Sequence, residues 1–320
     1  MEKRSINNFS SDFANVCRGI VMGAADIIPG VSGGTMAIIL GIYERLVSAI
    51  SRVDTQLIGH VFHRRIGEAA SRIDLRFLMS LGSGILIGVV ALGSLMEQLL
   101  GSADSRSRTL AVFFGLIIAS TLVVGRRISW SQPGRRFQMI VLAVISALFA
   151  FWLTGLQGIQ GSTHPGYVFL CGMIGICAMI LPGISGAYLL VLLGLYEHIT
   201  GILHHLRSGM LSGDDIKTVI IFAGGCAVGI ILFSKFLRWL LANWHDQTIA
   251  VLCGFMVGAL RKIWPFQSDL TPGITELKHK VYQPIMPERL SAQVITCLGI
   301  GLAAMIVVLL IERVSRSADN

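Results

Sequence analysis

The chain carries one helix-breaking motif twice, and each copy interrupts an apolar stretch. A Pro-Gly-Val-Ser-Gly-Gly sequence begins at Pro29, and a Pro-Gly-Ile-Ser-Gly-Ala sequence begins 153 residues later at Pro182. A Leu-Gly-x-Tyr-Glu sequence follows each copy after a short apolar run. In a bilayer, such a break is tolerated only where protein or a water-filled cavity receives the freed backbone groups. Paired breaks in two halves of a membrane protein are typical of a binding site near the bilayer midplane.

The composition is that of a polytopic membrane protein. Mean hydropathy is +0.72, and only 14% of the residues are charged. The formal net charge is +8, but the basic residues lie in short loops between apolar segments, where they set topology. We therefore expect no nucleic-acid partner. The sequence contains no Walker-type loop and no metal-binding spacing, so we expect no ATPase activity, no metal and no cofactor.

Six apolar stretches are long enough to cross a hydrocarbon core of about 30 Å. They are the segments 77–100, 109–125, 138–155, 217–241, 248–264 and 291–312. The two motifs add hydrophobic units at 17–50 and 168–204. Before its motif the first unit has a piece of about 13 residues, or roughly 20 Å of helix, which is too short to span. We therefore expect a re-entrant hairpin that turns at the motif and leaves the membrane on the side it entered.

The distribution of basic residues favours this hairpin over a broken helix that spans. Arginines are concentrated in the segments 51–76 and 126–136, and the N-terminal segment is also basic. The positive-inside rule assigns all three to the cytoplasm. A re-entrant 17–50 satisfies the rule, whereas a spanning one would put both Arg-rich segments outside.

The same reasoning predicts a second hairpin that enters from the outside, with both chain termini in the cytoplasm. The loop 265–290 then lies outside, although it carries Lys278, Lys280 and Arg289, which the rule disfavours there.

Further matches extend the repeat beyond the two motifs. A Gly-x-x-x-Gly pair beginning at Gly84 recurs at Gly225, and an apolar stretch ending in Gly115 recurs with its end at Gly254. Each unit has an odd number of crossings, so the second unit is inverted relative to the first, as in many secondary transporters.

The predicted fold class is an all-α polytopic membrane protein with two inverted repeats. Each repeat has one re-entrant helical hairpin plus three transmembrane helices. The whole chain, 1–320, forms a single integral membrane domain, with repeat 1 at about 17–155 and repeat 2 at about 168–312.

Each motif predicts an anion site at the start of a helix. Ser32 and Ser185 occupy N-cap positions, so the first helical N–H groups are unpaired and point toward the membrane centre at the positive end of the helix dipole. Such a helix start suits phosphate or carboxylate. The candidate substrate-binding residues are Pro29, Gly30, Ser32, Gly33, Gly34, Thr35, Pro182, Gly183, Ser185 and Gly186.

A second group of residues is predicted to act in gating or ion coupling. Asp26 lies inside a short half-helix, where a carboxylate is costly and usually functional. Tyr43 and Glu44 are paired with Tyr196 and Glu197 in the second unit. If each helix continues from its cap, these Tyr-Glu pairs lie roughly 18 Å away. Two interpretations of these pairs are possible. They act as a gate or bind the coupling ion, or the Tyr lies at headgroup level beside a solvated Glu.

Two basic residues near the end of segment 217–241, Lys235 and Arg238, are possible contacts for a lipid phosphate. Long basic side chains at helix ends also snorkel to the interface without a specific partner.

The doubled motif, with the sequence Gly-Ala-Ala-Asp-Ile-Ile before Pro29, resembles the bacterial PopT-type undecaprenyl-phosphate translocases over almost the whole chain. The resemblance implies a non-enzymatic lipid transporter of the bacterial cytoplasmic membrane. It would return undecaprenyl phosphate from the outer to the inner leaflet for cell-envelope synthesis. The implied partners are undecaprenyl phosphate and membrane lipids, with H⁺ or Na⁺ as the candidate coupling ion.

Two alternatives share the expected anion site. One is an undecaprenyl-diphosphate phosphatase of the BacA type, which has Pro-Gly-x-Ser-Arg-Ser where this chain has Gly33 or Gly186 after the serine. Without that Arg to stabilise a transferring phosphoryl group, hydrolysis is disfavoured. The other is an ion-coupled transporter of a small anion, which would need no lateral opening to lipid.

Overall fold

The computed structural model describes residues 2–26, 32–126, 128–129, 133–156, 158–210, 212–273, 280, 282–287 and 289–318. These residues are mostly helical. A two-stranded antiparallel sheet accompanies the helices.

The described residues of the first half of the chain form eight helices. They are α1 (Glu2–Asp26), α2 (Gly33–Ile39), α3 (Tyr43–Ser51), α4 (Thr55–Phe62), α5 (Ile66–Arg72), α6 (Leu75–Gly101), α7 (Ala103–Gly125) and α8 (Pro133–Leu153).

In the second half, the residues that the structure describes form six helices and two strands. They are α9 (Pro165–Ile180), α10 (Gly186–Leu192), α11 (Tyr196–Ser208), α12 (Gly213–Asn243), α13 (His245–Ala259), β1 (Gln267–Asp269), β2 (Tyr282–Pro284) and α14 (Ala292–Ala318). The strand pair lies in the loop 265–290, so the all-α expectation misses this small sheet.

Five described helices are long and apolar enough to cross a membrane: α6, α7, α8, α12 and α14. They correspond to five of the six predicted spans. The sixth, 248–264, forms the 15-residue α13, which is roughly 22 Å long. It ends early because Leu260 begins a series of tight turns before the charged Arg261 and Lys262.

The first hairpin departs from its predicted lengths on both sides of the motif. Helix α1 begins at Glu2, so it has 25 residues and not about 13. Its apolar C-terminal part packs on α6, while the added N-terminal turns carry the polar residues.

The expectation of one continuous helix from the cap to the Tyr-Glu pair is wrong in both units. Helix α2 ends at Ile39, and α3 begins at Tyr43. Between them Gly41 adopts φ +68° and the Ile42 amide bonds to the Ala37 carbonyl, which is a glycine-terminated helix end. Gly194, with φ +64°, breaks the second unit at the corresponding place.

Matched helices of the two units make matched contacts. Helix α1 packs on α6, and α9 packs on α12. A Cβ on Gly84 would collide with the Val16 carbonyl, and one on Gly225 would collide with the Phe169 carbonyl. The repeated Gly-x-x-x-Gly pairs therefore serve the same close approach of backbones in both units.

The remaining long helices pack across the two units. Helix α7 packs on α14, while α13 packs on α8. Gly115 meets the Gly301 backbone on α14, and its counterpart Gly254 meets the Ala143 backbone on α8. Each unit is therefore completed by a helix from the other.

Candidate functional site

The first motif forms a capped helix start. Ser32 has an extended backbone (φ −123°, ψ 140°), and its Oγ accepts a hydrogen bond from the Gly34 amide at 3.1 Å. The Met36 amide bonds to the Ser32 carbonyl at 3.2 Å. Ser32 is therefore the N-cap of α2, as predicted. Pro29 and Gly30 lie outside the described residues.

The start of α2 is occupied by a carboxylate from the same hairpin. The Gly33 amide donates a hydrogen bond to Asp26 Oδ1 at 2.5 Å. A Cβ on Gly33 would lie 2.8 Å from Asp26 Oδ2, so the glycine gives the carboxylate room. The expectation of unpaired N–H groups at this helix start is therefore wrong for Gly33 and Gly34. The site attracts an anion, and Asp26 supplies one.

The second motif has the same cap without the carboxylate. Ser185 Oγ accepts from the Tyr188 amide at 3.4 Å at the start of α10. Met179 takes the position that Asp26 takes in the first unit, and a Cβ on Gly186 would collide with its side chain. Gly183 adopts φ +83°, which favours glycine. The two helix starts are therefore alike in shape and different in charge.

The fold brings the two motifs into direct contact. The Ser32 hydroxyl lies 3.1 Å from the Met179 carbonyl oxygen and 3.3 Å from that of Leu181, at the end of α9. In the other direction, the Gly183 amide donates to Thr35 Oγ1 at 2.8 Å. Sequence analysis expects the two helix starts to meet, whereas the contacts of the α2 start are with the end of α9 and with Gly183 of the second motif.

The contact is tightly packed on the side of the first motif. Ser32 and Thr35 are buried, at 2% and 0% exposure. A Cβ on Gly34 would collide with the Ile180 carbonyl, so only glycine allows this approach. Thr35 thus contacts the second motif directly, and Gly34 packs against the end of α9 just before it.

An apolar groove adjoins the contact between the motifs. It has a volume of about 510 Å³ and lies between α8, α12 and α13. Leu181, whose carbonyl faces Ser32, forms part of its wall together with Phe255. The Phe255 backbone also packs on Gly183. The groove therefore reaches the second motif from the side.

The two Tyr-Glu pairs lie at the starts of α3 and α11, beyond the second break in each hairpin. Tyr43 is buried, and its hydroxyl has no hydrogen-bond partner among the described residues. Glu44 is exposed, and its carboxylate lies 3.5 Å from His245 Nε2 at the start of α13. Tyr196 is half-buried and Glu197 is exposed. Glu44 thus links the first hairpin to the second unit.

Lys235 and Arg238 lie on α12 where this helix packs against α3. Arg238 Nη1 donates to Ser51 Oγ at 3.4 Å. Lys235 is close enough to Asp54 to help lower the pKa of that carboxyl, although hydrogen bonds from Arg72 are the main cause. Both residues therefore face the polar end of the first hairpin.

The sequence of residues 22–281 matches the family described as undecaprenyl phosphate translocase-like. The chain belongs to this family. The matched residues include both motifs and the groove between α8, α12 and α13.

Two curated relatives are both named polyprenyl-phosphate transporter. The polyprenyl-phosphate transporter of Vibrio cholerae serotype O1 (strain ATCC 39315 / El Tor Inaba N16961) is 35% identical over 276 residues, which are 86% of this chain and 84% of the relative. The polyprenyl-phosphate transporter of Staphylococcus aureus (strain NCTC 8325 / PS 47) is 29% identical over 263 residues, 78% of this chain and 86% of the relative. No solved structure matches the chain.

Sequence reasoning did not select two basic residues of this translocase-like chain that lie beside the second motif. Lys262 Nζ lies 4.6 Å from the centre of the Tyr188 ring in α10. Arg261 stacks on Phe151 at 4.5 Å and donates to its carbonyl at 2.9 Å. Their signal in the sequence is two adjacent charges at the end of an apolar segment.

Proposed function

We propose that this protein is a flippase that carries undecaprenyl phosphate from the outer to the inner leaflet of the bacterial cytoplasmic membrane. The membership in the undecaprenyl phosphate translocase-like family and the two curated polyprenyl-phosphate transporters support this substrate class. The lipid carrier would thereby be recycled for cell-envelope synthesis.

The observation that carries the proposal is the apolar groove beside the contact between the two motifs. A lipid phosphate needs a polar site for its headgroup and an apolar path for its tail. The backbone and hydroxyl groups of Ser32 and Thr35 meet the second motif at Leu181 and Gly183. Because Leu181 also lines the groove, a tail could stay in apolar surroundings while the headgroup is at the motifs. A small-anion transporter would need no such side opening.

The proposed architecture is the pair of inverted repeats with two re-entrant hairpins. The matched packing of α1 on α6 and α9 on α12, and the exchange of α14 and α8, support two equivalent units. The contacts of Arg238 with Ser51 and of His245 with Glu44 support a cytoplasmic α12–α13 turn on the same side as the Arg-rich segment 51–76. Both termini would then be cytoplasmic, as the charge pattern predicts.

In the proposed cycle, the phosphate exchanges with the Asp26 carboxylate at the start of α2. Both groups are anions, and the Gly33 amide can serve only one of them at a time. A proton or Na⁺ that neutralises Asp26 would free this amide for the phosphate, which would couple transport to an ion. At Gly186 the neutral Met179 offers no competing charge.

Hydrolysis of a diphosphate is disfavoured by the same geometry. The position that carries Arg in the phosphatase motif is Gly33 here, and the Asp26 carboxylate fills the space above it. A carboxylate at that point would repel the transferring phosphoryl group, whereas an Arg would stabilise its developing charge.

Reconstitution in liposomes with a labelled polyprenyl phosphate tests this function. We expect leaflet exchange of the intact lipid, without release of phosphate from the corresponding diphosphate. Phosphate release would identify a phosphatase. Uptake of a soluble anion without lipid exchange would identify the small-anion transporter.

A pair of serine substitutions tests the motifs as the site. Ser32→Ala together with Ser185→Ala removes both caps, and we expect at least about a tenfold loss of exchange from two caps worth about 1 kcal/mol each. The matched control is Ser120→Ala, a buried serine whose hydroxyl bonds within α7. Unchanged exchange in the double variant, with folding intact, would contradict the proposed site.

A further inference from the structure

A second, polar cavity lies at the opposite end of α7 from the Arg-rich segment 126–136. It has a volume of about 170 Å³, and its wall includes the start of α7 and both short strands. The polar residues that line it are Arg106, Ser107, Gln267, Asp269, Lys280 and Tyr282. At about 30 Å³ per water, this volume has room for a phosphate group with ordered water.

The cavity has an excess of positive charge. Arg106 stacks on the Tyr282 ring at 3.4 Å, contacts its hydroxyl, and donates to the Leu100 carbonyl at 3.0 Å. Within the part of the chain that the structure describes, no carboxylate pairs with Arg106. Lys280 Nζ lies 2.6 Å from Asp269 Oδ2, and this contact is the main cause of the lowered pKa of Asp269. Among the described residues of the wall, two cations therefore stand against one carboxylate, and only Lys280 contacts it.

The position of the cavity suits a lipid headgroup. Arg106 lies one turn inside the spanning helix α7, where long basic side chains reach the headgroup level. On the topology proposed above, this end of α7 faces outward. The basic residues of the loop 265–290 are unfavourable there by the positive-inside rule. A role in binding substrate accounts for Lys280 at this place.

We propose that the cavity between Arg106, Lys280 and Tyr282 binds a phosphate monoester at the outer leaflet before the headgroup moves to the motifs. This inference rests on the proposed flippase function, which it extends by an entry site. Arg106 can offer paired N–H donors to phosphate oxygens, and Lys280 adds a point charge. The same chemistry would also accept free inorganic phosphate.

Named contacts connect the cavity to the second motif. Gln267, in the cavity wall, donates to the Lys262 carbonyl at 2.8 Å. The Lys262 ammonium in turn faces the Tyr188 ring in α10, whose amide bonds to the Ser185 cap. A headgroup leaving the cavity would thus meet a further cation before the motif.

Protection of Lys280 from a water-soluble amine reagent tests the site in the full chain. Farnesyl phosphate is the probe, and mass spectrometry gives the concentration at which half of Lys280 is protected. Lys217 is the internal control, because its ammonium is exposed and pairs with Asp214 outside the cavity wall. We expect protection of Lys280 and none of Lys217. Equal labelling of Lys280 with and without probe would overturn the proposal.

The proposal predicts that substitutions at two positions change the half-protecting concentration in opposite directions. Arg106→Gln should raise the half-protecting concentration about tenfold or more, since the variant loses a charge-assisted hydrogen bond to the phosphate. Arg108→Gln, on the same helix but paired with Asp104, is the matched control and should leave it unchanged. Asp269→Asn should lower it several-fold, which a misfolded protein could not do. An unchanged value for both Arg106→Gln and Asp269→Asn would refute the site.

Two further experiments distinguish a prenyl phosphate from other phosphate ligands, and the entry site from the flippase function. We expect inorganic phosphate and phosphatidylglycerol to protect Lys280 only at higher concentrations than farnesyl phosphate, and half-protection at equal concentrations would refute an entry site for a prenyl phosphate. In proteoliposomes, Arg106→Gln should slow exchange at low outer-leaflet substrate and approach the wild-type rate at saturation. If the wild-type protein exchanges no polyprenyl phosphate, the flippase function fails. Normal exchange kinetics in Arg106→Gln would reject the entry site and leave the flippase intact.

Discussion

The Gly33 amide donates to the Asp26 carboxylate at 2.5 Å, where the sequence predicts a bound phosphate. The helix start therefore attracts anions, and the protein fills it with one of its own. Met179 occupies the equivalent position over Gly186. The two motifs therefore differ in charge, although both begin a helix with a serine cap and both pack closely against neighbouring backbone.

Neutralising Asp26 should strengthen phosphate binding at the motifs. In Asp26→Asn the side chain keeps its shape and loses the charge that competes for the Gly33 amide. We expect binding of a prenyl phosphate to tighten about tenfold, since a charge at a partly buried helix end contributes up to ~2 kcal/mol. Calorimetric titration of the detergent-solubilised protein measures it. Asp12→Asn, which alters another carboxylate on α1, is the control.

The same substitution should remove one part of the pH dependence. Protonated Asp26 carries no charge, so wild-type binding should approach that of Asp26→Asn as the pH falls. The phosphate itself titrates near pH 6, but it does so in both proteins. The ratio of the two affinities therefore isolates Asp26. A ratio that does not change between pH 5 and 8 would count against the competition.

Removing the acceptor between the motifs should destabilise their contact. Thr35→Val keeps the side-chain shape but leaves the buried Gly183 amide without Oγ1, its acceptor at 2.8 Å. We expect the free energy of unfolding to fall by about 1–3 kcal/mol, the cost of an unsatisfied buried donor. Thr121→Val, which removes a hydroxyl that donates to the Ile117 carbonyl within α7, should change it much less. Equal stability of the two variants would show that the contact contributes nothing.

Two nearby glycines on α6 should respond differently to substitution by alanine. A Cβ on Gly84 would collide with the Val16 carbonyl of α1, whereas one on Gly82 meets nothing within 4 Å. Gly84→Ala should therefore lower the thermal unfolding temperature, while Gly82→Ala should hold or raise it through helix propensity of up to about 1 kcal/mol. The second unit offers the same pair, with Gly225→Ala harmful and Gly224→Ala tolerated. Similar behaviour within a pair would refute the close helix packing.

The ion pair between Asp54 and Arg72 should stabilise the start of α4 in a pH-dependent way. Hydrogen bonds from Arg72 are the main cause of the lowered pKa of Asp54. A lowered folded-state pKa means that the stabilisation is present above the unfolded value of about 3.9 and is lost as the pH falls through the folded value. The protection factor of the Leu57 amide, which bonds to Asp54 Oδ1, should fall below pH 4 once the intrinsic exchange rate at each pH is divided out. We expect an effect under about 1 kcal/mol, and none in Asp54→Asn.

Hydropathy and local capping chemistry predict much of this structure. The apolar segments 77–100 and 217–241 correspond to α6 and α12 within a few residues. The caps at Ser32 and Ser185 also follow from residue type and the breaks before them. These features depend on short stretches of chain, so a single sequence contains them.

Contacts between distant residues could not be predicted in this way. The Ser32–Leu181 contact depends on how two separate hairpins meet. The Asp26–Gly33 bond depends on how the end of α1 is placed against the start of α2. The break before Tyr43, in contrast, has a local signal, because a glycine just after an apolar helix commonly ends that helix. That signal was present in the sequence, and the expectation of a continuous helix overlooked it.

Photolabelling with a polyprenyl phosphate that carries a diazirine beside its phosphate tests the central claim most directly. If the motifs hold the headgroup between them, mass spectrometry of the full chain in liposomes should find label in peptides from both motifs, around Ser32 and Ser185. Ser32→Ala with Ser185→Ala should reduce this label, and Ser120→Ala should not. Label that is absent from both motif peptides, in protein that exchanges the lipid normally, would contradict the account.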